Sequence, residues 1–230
     1  MNWGTGQMRT DLRDSGVLPQ SEPYTALGHD LYNAGIVASS AVWNATGPDR
    51  PVDWVVLELR NNDAGYSFSA ACAAILKADG HAVDPVTGGT VGFPVTTVGK
   101  KLVVLHRNHL PAMVNNSVLV NGQVLDLALP SVGLFGGSSA AWVNGSLRAL
   151  WPGDVGANGV VSYVGVQNDR DPLLVAIGGV VPTNTLQGYH PQDVNMDGVV
   201  KYSGQGNDRD VILSTIGGTV PTTTRVSYAP

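Results

Sequence analysis

Acidic and amide side chains at positions 193–197 have the spacing of a calcium-binding loop. Asp193, Asn195 and Asp197 place side-chain oxygens at loop positions 1, 3 and 5, and a glycine at position 6 allows a sharp turn. Hard oxygen ligands at this spacing suit a hard cation such as Ca²⁺. The last carboxylate of such a loop normally stands at position 12, which is a glycine here. Asp210 restores the carboxylate further along the chain, so we infer a six-residue insertion within the loop.

The same pattern occurs twice, with a constant offset in numbering that carries Asp154 onto Asp193. The first copy contains Asp154, Asn158, Gly159, Val160, Asn168, Asp169 and Asp171, and the second contains Asp193, Asp197, Gly198, Val199, Asn207, Asp208 and Asp210. We therefore predict a duplicated C-terminal domain over residues 151–230, with repeats at 152–191 and 191–230.

The paired loops resemble type I dockerin repeats, in which an Asp-x-Asn-x-Asp-Gly loop with a terminal Asp leads into one helix. The resemblance implies two calcium sites. The expected ligands of the second site are Asp193, Asn195, Asp197, the Val199 carbonyl and Asp210, and those of the first are Asp154, Asn158, the Val160 carbonyl and Asp171. Asp169 and Asp208 are candidates for one further ligand each. More carboxylates predict a tighter second site. The alternative is a pair of Asx-rich turns that hold no metal.

The insertion and one substitution depart from the dockerin pattern. Gly156 stands where the second repeat has Asn195, and it offers no side-chain oxygen to the first loop. Pro172 follows Asp171 and suits the first turn of a helix, while a Gly-Gly pair predicts the C-terminal end of the helix in each repeat.

Composition excludes several classes of protein. The chain has 230 residues, 29 of them glycine, with 13% charged residues and a net charge of −5. Only four residues are lysine, so no basic stripe exists to neutralise nucleic-acid phosphates. No apolar run reaches membrane-spanning length. Cys72, the only cysteine, lies in an apolar run, which predicts a buried, inert thiol.

The segment before the repeats consists of short apolar runs separated by turn residues, a pattern typical of an all-β domain. We predict an N-terminal arm over residues 1–23 and an antiparallel β-sandwich over 24–150, so the chain is expected to be mainly β. The predicted strands are Ile36–Trp43, Val52–Arg60, Ser67–Lys77, His81–Asp84, Thr90–Val95, Lys101–His106, Ser117–Val120 and Gln123–Leu129.

A second resemblance covers most of the chain. The phrases at residues 18–28, 53–60 and 106–113, followed by the repeats, resemble the C-terminal region of large secreted bacterial surface proteins of the haemagglutinin-like or adhesin-like kind. The resemblance implies an extracellular or surface role. Calcium loops with few carboxylates agree with it, because such loops bind weakly and millimolar calcium is an extracellular condition. We expect a processed portion of a secreted protein.

One cluster invites an enzymatic interpretation. His106 and His109 could ligate zinc or act as acid and base, but positions three apart on a strand face opposite sides unless the chain turns at Asn108. The alternative is a polar strand end. No nucleophile elbow, phosphate loop or metalloprotease motif is present, so we predict no enzymatic activity.

Two functions therefore remain from the sequence. The first is a structural or adhesive surface protein, stiffened by calcium and assembled as a head-to-tail fibre. In that hypothesis the arm and the alternating segment 222–228 dock on a neighbouring copy, with docking inside one chain as the alternative. The second is a carbohydrate-binding module, which exposed aromatic side chains would favour.

Overall fold

The computed structural model describes residues 6–115, 125–129 and 131–229. The chain is mainly β, with 27% strand, 14% helix and antiparallel sheets. The strands are β1 (Pro51–Arg60), β2 (Phe68–Lys77), β3 (Ala82–Val83), β4 (Lys101–His106), β5 (His109–Met113), β6 (Trp142–Asn144), β7 (Leu147–Ala149), β8 (Val160–Ser162), β9 (Thr185–Gln187), β10 (Val199–Lys201) and β11 (Thr224–Val226). The α-helices are α1 (Asp11–Asp14), α2 (Ser40–Trp43), α3 (Arg170–Ala176) and α4 (Asp208–Thr215), and two short 3-10 helices span Gly47–Asp49 and Gly137–Ala140.

The largest sheet has five antiparallel strands in the order β3-β2-β1-β4-β5. Four of its strands correspond to segments predicted from the sequence, and the match confirms the antiparallel, mainly β prediction. Central β1 is buried over almost its whole length because it has a neighbour on each side and a covering layer on each face.

Both faces of this sheet are covered. One face presents Trp54, Val56 and Ile75, and the other presents Val55 and Leu57. Four of the ten residues of strand β2 are alanines, and such small side chains let the covering segments approach closely. Among the described residues the covering layers consist of loops and short helices. The second sheet of the predicted sandwich is not seen there.

Two of the predicted strands have another structure. Part of the predicted strand Ile36–Trp43 is the helix α2, which begins where the Ser39 hydroxyl accepts a hydrogen bond from the Val42 N–H. Thr90–Val95 contains no strand. Ser117–Val120 lies outside the described residues, and Gln123–Leu129 is described only over 125–129, which contains a turn.

The predicted arm is packed against the sheet over its described part. Leu12 and Leu18 are buried in the same cluster as Trp54. The Met8 N–H donates to the Ala78 carbonyl at 2.7 Å, and the Trp54 indole N–H donates to the Pro19 carbonyl at 2.9 Å. The N-terminal segment is therefore held by this chain's own core.

Strands of the first repeat pair with strands of the second. Strand β8 of the first repeat pairs with β11 at the end of the second, and β9 at the end of the first pairs with β10 of the second. The constant offset between the repeats carries β8 onto β10 and β9 onto β11. Helices α3 and α4 bury Leu173 and Ile212 in the shared core. The C-terminal strand is thus docked within the chain.

Candidate metal centres and the turn that joins them

The second loop wraps its backbone around one buried carboxylate. Asp193 is fully buried, and its two oxygens accept the N–H groups of Asp197 at 3.1 Å and Gly198 at 2.9 Å. Asn195 and Asp197 each accept a further backbone N–H two residues later, at 2.8 and 2.9 Å. Met196 and Gly198 have positive φ angles of 59° and 88°, which close the turn. The turn therefore brings one oxygen of Asp193 and one of Asn195 to the same N–H group, that of Asp197.

Asp208 supplies the second buried carboxylate of this loop. It lies at the start of α4, and its Oδ1 accepts the N–H groups of Val194 at 2.7 Å and Asn195 at 3.0 Å. Its Oδ2 accepts the N–H of Lys201 at 2.7 Å. Burial, together with the neighbouring carboxylate of Asp193, raises the pKa of Asp208 to about 7. Burial therefore disfavours the charged carboxylate, even though three backbone N–H groups donate to it.

The first loop repeats this arrangement. Asp154 accepts the N–H groups of Asn158 at 3.0 Å and Gly159 at 3.1 Å. Asp169 accepts the N–H of Ser162 at 2.8 Å, and it also bonds to the backbone at position 156. Burial raises the pKa of Asp154, and burial with the Asp154 charge raises the pKa of Asp169 to about 6. The two loops are thus equivalent in their carboxylate pairs.

The structure places Asp171 and Asp210 away from the loops. Their side chains are 59% and 61% exposed. Each accepts a hydrogen bond at 2.8 Å from the amide of the asparagine at its helix start, Asn168 or Asn207. That asparagine in turn accepts the backbone N–H of the aspartate at 2.9 Å. The two aspartates expected as terminal ligands therefore belong to helix caps, and the secondary candidates, at positions 169 and 208, face the loops.

A charge pair distinguishes the second loop from the first. In the second loop the Lys201 ammonium lies 3.1 Å from Asp197 Oδ2, whereas Ser162 is the counterpart of Lys201 in the first. The carbonyl-bearing residues Val160 and Val199 open the short strands β8 and β10. A cation in the second loop would meet more carboxylates but would compete with an ammonium for one of them.

The donor set fits a hard divalent cation. Within residues 6–115, 125–129 and 131–229, no group of three or more His, Cys, Asp or Glu side chains is arranged to hold an ion. Each loop instead offers two buried carboxylates and the amide oxygen of Asn158 or Asn195 in the same turn, and calcium commonly uses mixed oxygen ligands. A divalent cation would stabilise the charged form of these carboxylates, whose pKa values are raised mainly by burial and, for Asp169 and Asp208, also by a neighbouring carboxylate.

A tight turn between β4 and β5 joins both loops to the sheet. Asn108, at this turn, is fully buried and donates its amide N–H groups to the carbonyls of Pro191 at 2.9 Å and Asp193 at 2.7 Å. Its backbone carbonyl accepts the N–H of Gly153 at 2.8 Å, one residue before Asp154. Asn108 therefore fixes the start of both loops.

A buried charge network surrounds this turn. Asp53, fully buried on β1, accepts hydrogen bonds from the Arg107 guanidinium and from the Tyr189 hydroxyl at 2.7 Å, and lies 3.0 Å from His106 Nε2. Despite its burial, the guanidinium and the imidazole hold the pKa of Asp53 well below its usual value. Arg107 also lies over the Tyr189 ring at 4.1 Å. The network ties the sheet to the segment that links the repeats.

The two histidines meet because the chain turns at Asn108. Their Nδ1 atoms are 2.8 Å apart and the rings are perpendicular, with centroids 4.5 Å apart. The His106 side chain is only 4% exposed, and burial lowers the pKa of both imidazoles. Asp53 on β1 completes an Asp–His–His chain, which sequence reasoning missed because no local spacing connects β1 to this turn. The pair lies where strands β4 and β5 meet, and its role stays a hypothesis.

Comparisons with protein-family models, curated proteins and solved structures found no match. In the described part of the chain, every helix is too short or too polar to traverse a lipid bilayer.

Proposed function

We propose that this chain is a calcium-stabilised structural and adhesive module of an extracellular or surface protein. The observation that carries the proposal is the pair of buried, mutually repelling carboxylates in each loop, joined to the sheet through Asn108. Calcium supplies the positive charge that would fix each loop in its folded form. The chain then behaves as one stiff unit rather than as a sheet with a loose tail.

The proposed ligands follow the contacts. The second site would use Asp193, Asn195, Asp197, the Val199 carbonyl and Asp208, and the first would use Asp154, Asn158, the Val160 carbonyl and Asp169. In this assignment the terminal ligand of each loop is the buried aspartate, Asp169 or Asp208. It is no longer the aspartate of the helix cap. Backbone N–H groups already orient both buried carboxylates, so little reorganisation is needed on binding.

The finer architecture belongs to the same proposal. Two loops, each leading into one helix and related by an internal duplication, support a dockerin-like unit over residues 152–230. A β-sandwich over 24–150 stays a hypothesis, because it requires a second layer of strands packed on the five-stranded sheet. An extracellular location follows from the weak, calcium-dependent loops that the proposal requires.

Adhesion or self-association draws its support from the surface of the first repeat. Val166 is 95% exposed, and Val175 and Val180 are also largely exposed. The positions equivalent to Val166 and Val175 in the second repeat are Gln205 and Ser214. The most exposed valines therefore lie in the first repeat, as expected if that repeat contacts another molecule. The two terminal segments give less support to a fibre, because both are docked within the chain.

Calorimetric titration of the full chain with Ca²⁺, with Mg²⁺ as control, tests the proposal. We expect two calcium-binding events with dissociation constants on the order of 10⁻⁴ to 10⁻³ M or tighter. In limited proteolysis, EDTA should expose residues 152–230 before the sheet is cut. Absence of calcium heat, or first cuts within 52–113, would refute the proposal.

A further inference from the structure

The surface next to the first loop carries a fixed aromatic stack. Trp142, at the start of β6, is 42% exposed and lies nearly parallel to Trp151, with centroids 6.2 Å apart and planes at 18°. The guanidinium of Arg225 lies 3.6 Å from the centre of the Trp151 ring. The Trp151 indole N–H donates to the Ser139 carbonyl at 3.0 Å. The exposed Trp142 ring therefore packs against Trp151, which is itself held by Arg225 and by the Ser139 carbonyl.

This stack is built from distant parts of the chain. Trp151 stands just before the first loop, while Arg225 lies on β11, opposite Val161 of β8, and donates to the Thr215 carbonyl at 2.9 Å. Trp142 belongs to the β6–β7 hairpin. Three separate elements thus fix the orientation of one exposed ring, which is the pre-organisation that a binding surface needs.

A second aromatic ring lies at the other end of the same segment. Tyr228 is half-exposed, and its ring packs so closely over Gly136 that a Cβ there would lie 2.2 Å from the ring carbon Cγ. Gly136 is three residues from Ser139, to which Trp151 is bonded. Exposed hydroxyl groups of Ser138 and Ser139 lie on this segment, between the two aromatic positions in sequence.

We propose that this surface, defined by Trp142, Trp151, Arg225 and Tyr228, binds a neutral sugar ring of a glycan. A pyranose presents an apolar face of C–H groups and a rim of hydroxyls, so it fits a flat indole beside serine hydroxyls and a guanidinium. The other flat ligand that would stack here is a nucleobase. The net charge of −5 disfavours it, because a nucleic acid brings phosphates with it.

Affinity electrophoresis and a glycan array on the full-length chain test the inference. The probes are neutral plant and microbial polysaccharides, neutral animal-type oligosaccharides, heparin and single-stranded DNA. We expect retention by a neutral glycan, and the group of probes that binds tells a polysaccharide matrix from a host-surface glycan. Binding only to heparin or DNA, or to none of the probes, would overturn the inference.

Substitutions localise the binding. Trp142→Ala should weaken glycan binding about tenfold or more, and Trp142→Phe should retain part of the affinity because a flat ring remains. Val143→Ala is the matched control, since the neighbouring residue on a strand faces the other side. Gly136→Ala should also weaken binding by displacing the Tyr228 ring. Each variant must keep the wild-type circular dichroism spectrum, and unchanged glycan affinity in a folded Trp142→Ala variant would refute the proposed surface.

Discussion

Asp208→Asn is the substitution that tests the proposed calcium site most directly. Asparagine has the same shape and can keep the Oδ1 contacts with Val194 and Asn195, but it places an amide N–H₂ against the Lys201 N–H. Its matched control is Asp210→Asn, because that aspartate lies two residues later on the same helix and is 61% exposed.

The substitution should change the stability of the calcium-free protein and, separately, the stabilisation that calcium adds. In the calcium-free protein, the pKa of Asp208 is raised from 3.8 to about 7, so the folded state binds the proton more tightly than the unfolded state. Stability is therefore lost as pH rises from 3.8 to 7, by about 1.4 kcal/mol per unit, or roughly 4 kcal/mol in total. Asparagine avoids this loss at pH 7 but breaks a hydrogen bond, at a cost of about 1–3 kcal/mol. The calcium-free variant should thus be at least as stable as the wild type.

Calcium should stabilise the variant much less than it stabilises the wild type. At a hundredfold excess over its dissociation constant, calcium stabilises the wild type by about 2.7 kcal/mol. If losing an anionic ligand weakens binding about a hundredfold, the same calcium concentration stabilises the variant by only about 0.4 kcal/mol. For a chain of this size, the part of the calcium-dependent rise in Tm that the second loop contributes should fall from about 5–11 °C to about 1–2 °C, while the part from the first loop stays.

Differential scanning calorimetry at pH 7 measures the Tm of the wild type and of Asp208→Asn, each in calcium and in EDTA. Asp210→Asn should keep the calcium response of the wild type. If Asp210→Asn abolished the response and Asp208→Asn kept it, the exposed aspartate would be the ligand and the assignment made from burial would be refuted. Responses retained by both variants would place calcium outside this loop.

Three further outcomes follow from the contacts around the sheet. Asn108→Ala removes the amide bonds to Pro191 and Asp193, so calcium affinity of the second loop should fall about 10–100-fold in calorimetric titration; an unchanged affinity would mean that the turn does not position the loop. Leu12→Ala should destabilise the chain by about 2–5 kcal/mol in denaturant unfolding, independently of protein concentration, whereas a near-neutral effect would mean that the arm docks elsewhere. Because burial holds the pKa of His109 well below 6.5, stability in saturating calcium should fall as pH drops below that value; His109→Gln should flatten this slope, and the exposed His81→Gln should not.

The sequence alone determined the repeats and most of the large sheet. A constant offset between matching residues, as from Asp154 to Asp193, reveals the duplication without any structure, because both copies kept the residues that shape the turn. Strands β1, β2 and β4 were predicted because long apolar or alternating runs between turn residues have few other ways to become buried. The segment before Asn44 was misassigned, since a short apolar run fits either a strand or a capped helix and Ser39 decides between them.

Only the tertiary structure could show which aspartate at each helix start faces the loop. Asp208 and Asp210 are both present in the sequence, but two residues on a helix are separated by roughly 200° of rotation, so when one faces the loop the other faces solvent. Which of them faces inward depends on how α4 packs through Ile212 against the other repeat. Likewise, Asn108 reaches Asp193 across 85 positions of sequence. No local pattern records such a contact, because it exists only once the sheet and the repeats are packed together.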